Sequence, residues 1–409
     1  MANDLLLILG IGPVALKYLE TALAGHGLEP LVLGPRQHLP AQTWQTFSPS
    51  RFHDVPLTRE GIEGFLQRHA RLRDRIRAVT TLFDEQLPLV EAIARAHGWA
   101  YPGPAAVRLS DKSTASAYAG DFSVPSETFS AFEPERLEPF LAEPGRRWVI
   151  KPGCCSGGHA VGHVEGGPGA LAQVRVHLAQ HHLVTPDSWI LQPCLEGRLI
   201  SFEGYMRQGQ LCRAGVSLRV RIGLTEVANR FPSTDGLDRT QLEHGWSALE
   251  RLFQTAGFKD GWFHSECIAG PAGLRLIDAN PGRIGGATVL EQVALAWGHL
   301  PTELLAHVLL LPIGEAMSTL EARLERPKPT LGVWYGLWTS ARLNSVTVPA
   351  SRAWHTQFAA EESHVPAMGT SDYAWVGLVS GEEQAVRQCL AGLGINTDLG
   401  PASPAYRLD

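Results

Sequence analysis

Two stretches of the chain place chemically capable side chains at spacings that can bring them together. Gly261-Trp-Phe-His264-Ser-Glu266-Cys-Ile268 is followed by Ala-Gly-Pro-Ala-Gly and then by Leu274-Arg-Leu-Ile-Asp278-Ala-Asn280-Pro. A hairpin turning at Ala272 sets Glu266 directly opposite Asp278, with the two carboxylates about 5 Å apart. Because strand side chains alternate, His264, Glu266, Asp278 and Asn280 then emerge on one face. Facing carboxylates repel unless a cation lies between them. Three hard oxygen donors on one rigid face suit Mg²⁺, whose shell is completed by phosphate oxygens and water; the alternative is a solvated ribbon face that happens to be acidic. Just downstream, Asn280-Pro-Gly-Arg283-Ile-Gly-Gly286 presents an arginine from a glycine-permitted loop. Its planar fork suits a phosphate or carboxylate, or it caps the next helix at the surface.

The second stretch, Trp148-Val-Ile-Lys151-Pro-Gly-Cys-Cys-Ser156-Gly157-Gly158-His, reads as a strand, a small-residue turn and a returning strand. Successive backbone N–H groups in such a turn can wrap an anion, beside the compact charge of Lys151. It is not a Walker A loop, and a plain flexible hairpin explains it equally well. Ile190-Leu-Gln192-Pro-Cys194-Leu195-Glu196-Gly197 is an apolar strand running into a polar linker, able to offer backbone groups to a purine edge and Glu196 to a ribose. Ser110-Asp111-Lys112 marks a helix start. Arg219 and Arg221 share one strand face and suit a substrate carboxylate or a structural salt bridge. Gly10-Ile-Gly12 is a truncated dinucleotide fingerprint, since Ala15 stands where a third glycine belongs.

The elements that must carry these residues follow from periodicity. Residues 5–9 read as a buried strand, 13–26 as a helix with Val14, Tyr18 and Leu19 inward, and 30–34 as a second strand, a βαβ opening of a parallel α/β sheet. Helices over 58–70 and 85–97 complete a first domain that ends near Pro102-Gly103-Pro104. Strands over 147–152, 159–164, 188–192, 199–206, 211–220, 261–268 and 274–280 make an antiparallel α+β middle, closed by a helical stretch near 286–311. Beyond Arg326-Pro-Lys-Pro329, strands at 331–338 and 374–380 and a helix at 381–393 form a small α+β end. Three domains result: 1–104, 105–312 with a lid subdomain over about 123–192, and 313–409.

Composition bounds the function. A chain of 409 residues with 44% hydrophobic and 19% charged residues is of ordinary globular type, long enough for several cores. A net charge of −6 without a basic run argues against nucleic acid. Cys154, Cys155, Cys194, Cys212, Cys267 and Cys389 show no C-x-x-C spacing, so reduced thiols and a cytoplasmic location are expected. Leu5–Leu9 reads as a strand and not a signal peptide, and Leu304–Leu311 is too short for a bilayer.

The order Asp111-Lys112, Lys151 with its Gly/Ser loop, Gln192-Pro-x-x-Glu196-Gly197, then Glu266 and Asp278-x-Asn280 resembles the ATP-grasp superfamily of carboxylate–amine ligases. The resemblance covers roughly 105–290 in motif and the whole chain in domain order. Gly261-x-x-His264-x-Glu266 and Ile-Asp278-x-Asn280-Pro with Arg283 is similar to the branch of L-amino-acid ligases and carnosine synthase-like enzymes, which make dipeptides.

This resemblance implies a three-domain architecture: a parallel α/β domain, a central ATP-grasp domain with a mobile lid, and a C-terminal α+β domain completing the core. It implies that Lys112 and Lys151 hold ATP phosphates, that the loop 153–158 with Ser156, Gly157 and Gly158 folds over them, and that the backbone from Gln192 through Cys194 to Leu195 meets adenine. Glu266, Asp278 and Asn280 would coordinate Mg²⁺ (or Mn²⁺). Arg283, with Lys151, would stabilise the acyl phosphate and tetrahedral intermediate formed as an amine displaces phosphate, while His264, Arg219 and Arg221 would meet substrate. Small-molecule amino acids and a homodimeric partner are expected.

Three departures stand out: aspartate at 278 where the family more often has glutamate, an added Gly282 before Arg283, and apolar Leu199 where many members carry an acid, so that Glu196 must serve the ribose. The acceptor pocket depends on loops such as 222–236. The competing readings are an NAD(P)-dependent oxidoreductase built on the N-terminal βαβ unit and a non-catalytic nucleotide-binding regulator.

Overall fold

The apolar run at the start of the chain forms β1 (Asp4–Leu9), whose residues from Leu5 onward are all buried. It pairs in parallel with β2 (Leu28–Gly34) and β4 (Ile76–Thr80), and β2 pairs with β3 (Phe52–Asp54), giving the order β3-β2-β1-β4. The crossover helix Pro13–Ala24 starts on a proline, whose missing N–H costs nothing at that position, and buries Val14, Leu16 and Leu19. The computed structural model describes residues 3–35, 47, 50–155, 159–181, 188–223, 225–286, 288–314, 320, 323–370 and 374–409.

A four-stranded antiparallel sheet follows, formed by β5 (Glu127–Phe129), β6 (Arg147–Pro152), β7 (Gly162–Glu165) and β8 (Trp189–Pro193) in the order β5-β8-β6-β7. Trp148, Ile150, Trp189 and Leu191 fill its own small core. The largest sheet contains β9 (Arg198–Arg207), β10 (Gln210–Ile222), β11 (Thr225–Phe231), β12 (Gly261–Gly270), β13 (Gly273–Asp278), β14 (Thr330–Tyr335), β16 (Trp354–Gln357) and β18 (Gly377–Glu382). Its order is β13-β12-β9-β10-β11-β14-β18-β16, and each neighbouring pair is antiparallel. The β11–β14 pairing carries the sheet across residue 312. A last sheet, ordered β17-β15-β19-β20, combines β15 (Ala341–Thr347), β17 (His364–Val365), β19 (Gly394–Thr397) and β20 (Gly400–Ala402).

The β12–β13 hairpin differs from the symmetric turn expected at Ala272. Gly270 pairs with Gly273 and Cys267 with Leu276, one residue out of that register, and a bulge then restores Glu266 opposite Asp278. Ile277 is the bulged residue, left without a cross-strand partner, as bulges require. Segment 222–236 is not a loop: residues 225–231 form β11. The helix Arg239–Ala256 has no counterpart in the sequence reading, although Asp238 and Gln241 form a reciprocal capping box and Gly257 ends it in the left-handed conformation. The stretch 286–311 resolves into two helical segments, Val289–Trp297 and Pro301–Ile313, bent by 112°. No single helix among the described residues is long and apolar enough to cross a membrane.

Helix Thr288–Trp297 binds distant parts of the fold together. Buried Glu291 accepts from the Tyr18 hydroxyl at 2.5 Å, pairs with Lys17 Nζ at 3.4 Å and accepts from the Ser380 hydroxyl.

Candidate active site

The strand ends and loops singled out by spacing converge on one cleft of about 1060 Å³, lined from both the β5–β8 sheet and the eight-stranded sheet. Lys112 begins the helix Lys112–Ala119, which Asp111 caps by accepting from Thr114 N–H at 2.8 Å. The Lys112 ammonium lies 2.8 Å from Asp278 Oδ2 and donates to the Cys155 carbonyl at 2.8 Å. Burial pulls this ammonium down, but Asp278 and then Asp84 outweigh it and hold it above its ordinary value. Asp278 shows the converse: burial raises it, and Lys112 and Lys151 more than reverse that. Lys151, next to last in β6, donates to the carbonyl of the bulged Ile277 at 2.8 Å. The bulge therefore both sets the acidic pair and frees the carbonyl that anchors this lysine. Burial pushes Lys151 down to about 8.

Glu266 accepts from Arg219 and lies 3.6 Å from His264 Nε2. Arg219 also donates to both oxygens of Glu226, and its Nη1 is 3.0 Å from His264 Nε2. An arginine can only donate, so His264 Nε2 accepts and its Nδ1–H donates to Glu203 Oε1, 2.6 Å away. Glu203 is fully buried. Gly285 packs against the ring closely enough that a Cβ there would lie 2.3 Å from Nδ1. Arg283, on the loop after β13, pairs with buried Asp84. Burial lowers its guanidinium and Asp84 raises it further, leaving it above its ordinary value.

Gln192, Cys194, Leu195, Leu199 and Arg221 line the cleft, with Val124, Val149, Ile268 and Ile277 forming apolar surface alongside them. Gln192 Nε2 donates to Ser126 Oγ at 2.7 Å. Glu196 is not brought in: its side chain is 78% exposed and pairs with Arg147 at 3.3 Å, so the ribose contact assigned to it has no counterpart here. Ser156, Gly157 and Gly158 lie outside the described residues. Burial raises the neighbouring Cys154 and Cys155 thiols to about 11 and about 12, so both stay protonated near neutrality.

No group of three or more His, Cys, Asp or Glu arranged for a metal occurs among the described residues. The donor set fits a hard cation in another way. Asp278 and Glu266 face each other and are each held by a protein cation, while buried Asn280, at φ 41°, has both amide atoms without a hydrogen-bond partner. Two carboxylates and an unsatisfied amide oxygen are what Mg²⁺ takes when phosphate and water supply the rest.

Three acidic residues were not anticipated. Glu203 sits opposite His264 in the β9–β12 pairing and Glu226 is the second residue of β11, but neither lies in a recognisable motif. Asp84 reaches Arg283 across 199 residues and left no local signal.

The backbone matches an L-amino acid ligase from Bacillus licheniformis with a TM-score of 0.72 at 15% identity, over 100% of both chains. It matches the biotin carboxylase domain of the Hydrogenobacter thermophilus 2-oxoglutarate carboxylase, solved with MgADP, ADP and bicarbonate, at TM-score 0.71 and 13% identity, covering 99% of this chain and 92% of that one. Phosphoribosylglycinamide synthetase from Anaerococcus prevotii superposes at TM-score 0.64 and 13% identity, over 97% of this chain and 100% of the other. The chain has the ATP-grasp fold. No protein-family model and no curated protein sequence matches it. Identities this low make the ATP-grasp assignment one of architecture, and the chemistry must be argued from the cleft.

Proposed function

We propose that the chain is an ATP- and Mg²⁺-dependent ligase that activates a carboxylate as an acyl phosphate and couples it to an amine, forming a dipeptide or related amide from amino acids and releasing ADP and phosphate. The observation that carries the reading is the set of buried and half-buried charges in the cleft: Lys112 on Asp278, Lys151 beside it, Glu266 opposite and Arg283 on the following loop. The full-length match to an L-amino acid ligase supports the amino-acid branch of that reading.

Lys112 and Lys151 would bind phosphate oxygens, worth more in a buried site than in water. Val149, Ile268 and Ile277 would sandwich a purine whose edge meets the Gln192–Leu195 backbone. Glu266, Asp278 and Asn280 would hold Mg²⁺, which when bound neutralises phosphate charge. Arg283, oriented by Asp84, would stabilise negative charge on the reacting carboxyl group. Arg219 and Arg221 would receive a substrate carboxylate, and His264, locked by Glu203, would position Arg219.

The dinucleotide alternative is disfavoured by Ala15, which stands where the third glycine of the fingerprint belongs. Incubation with ATP, Mg²⁺ and pooled amino acids is expected to give amino-acid-dependent ADP and phosphate, and Glu266→Gln to abolish it with an unchanged circular dichroism spectrum. AMP as product, or full turnover by the variant, would overturn the proposal.

A further inference from the structure

The cleft, at about 1060 Å³, stands at the upper end of the range of about 300–1000 Å³ usual for a ligand pocket, and its lining extends past the residues assigned to nucleotide. Much of the wall not assigned to nucleotide is apolar: Val14, Leu82, Leu290, Trp334, Phe358 and Trp375 all line it and belong to one hydrophobic cluster. Trp375 lies at the centre of the aromatic part, with ring centroids 6.1 Å from both Trp334 and Phe358.

This wall adjoins the charged site directly. The Trp375 indole N–H donates to the Glu226 carbonyl at 2.8 Å, and the Glu226 carboxylate holds Arg219, which in turn holds Glu266. With its N–H bonded to that carbonyl, the Trp375 side chain contributes its ring to the cleft wall. The Arg219–Glu226 ion pair, whose two side chains line the cleft, thus stands beside the aromatic wall.

We propose that one substrate of this cleft is an α-amino acid with a bulky apolar or aromatic side chain. Its carboxylate and ammonium groups meet Arg219 and Glu226, and its side chain packs against Trp375, Phe358 and Trp334. The proposal rests on the ligase reading for the fate of that amino acid, but not for its binding. A charged side chain would be stripped of water there without a partner, and a small one would leave the rings facing solvent. One methylene in an apolar pocket changes selection by about 10–200-fold, so the difference between glycine and phenylalanine is measurable.

The test is calorimetric titration of the full-length protein, with Mg²⁺ and a non-hydrolysable ATP analogue present, using glycine, L-alanine, L-leucine, L-phenylalanine and L-lysine. Leucine and phenylalanine are expected to bind at least ~10-fold more tightly than glycine or alanine. Trp375→Ala should erase that ratio, and Trp375→Phe should keep part of it. Should Trp375→Ala fail to fold, Phe358→Ala is expected to reduce the same ratio. Equal affinity for glycine and phenylalanine, preference for lysine, or a ratio untouched by these substitutions would overturn the assignment. Amino-acid-dependent ADP release is measured separately: phenylalanine binding without it would overturn the ligase reading and leave the side-chain assignment standing. ADP release with glycine or alanine alone would do the reverse.

Discussion

Asp84 and Arg283 show how the cleft fixes its charges by pairing them out of water. A buried guanidinium deprived of its carboxylate keeps the desolvation cost and loses the attraction. Asp84→Asn is therefore expected to lower kcat for ADP release about 10–100-fold, the range found when a supporting partner of a functional group is removed. Arg283→Lys, which cannot present a planar fork, should lower it about 100-fold or more. Steady-state kinetics on variants with native circular dichroism checks both, and a kcat unchanged in Asp84→Asn would show that the pair only supports the fold. The same residues mark the limit of what was legible. His264, Glu266 and Asp278 sit on two adjacent strands, so alternation and turn length suffice to group them, whereas the strand expected to run to 280 stops at Asp278 and Asn280 follows in the left-handed conformation. Glu203 meets His264 from 61 residues away and Asp84 meets Arg283 from 199, and no local pattern encodes such encounters.

At the scale of elements, the parallel opening and the antiparallel middle follow from apolar runs and alternation, and both appear where expected. The bulge at Ile277 does not follow from them, because a one-residue irregularity changes no composition. The helix Arg239–Ala256 escaped for a different reason: it carries no residue of the site, although its caps are written plainly at Asp238, Gln241 and Gly257. Loops that close on an element leave a sharper test. Gly285 is required by its approach to the His264 ring, and a methyl group there must displace one or the other. Gly285→Ala is expected to cost about 1–3 kcal/mol of stability in chemical denaturation and to reduce turnover at least tenfold. Wild-type turnover in this variant would mean that the His264–Glu203 alignment is not needed.

Across the whole molecule, stability should depend on pH through one buried and one half-buried imidazole. Burial, with Arg207 and His299, pushes His307 down to about 4, and burial with Lys17 does the same for His355. Each is neutral in the fold, His307 accepting from the Trp262 indole at 2.8 Å and His355 lying 2.7 Å from the Tyr335 hydroxyl. Unfolded, each takes up a proton near its ordinary value of 6.5. The folded state therefore keeps this contribution above that pH and loses it as pH falls from 6.5 towards 4. Thermal midpoints measured between about pH 8 and 4 should be level at first and then fall, and His307→Gln should flatten the decline; an identical decline in that variant would exclude His307 as a source. The junction at Glu291 sets an order of events during synthesis. Its carboxylate is buried, yet its partners come from residues 17, 18 and 380. Until residue 380 has left the ribosome, the carboxylate lacks its last donor, so the early sheet can form on the nascent chain but its final seating on the helix Thr288–Trp297 waits for that residue to emerge.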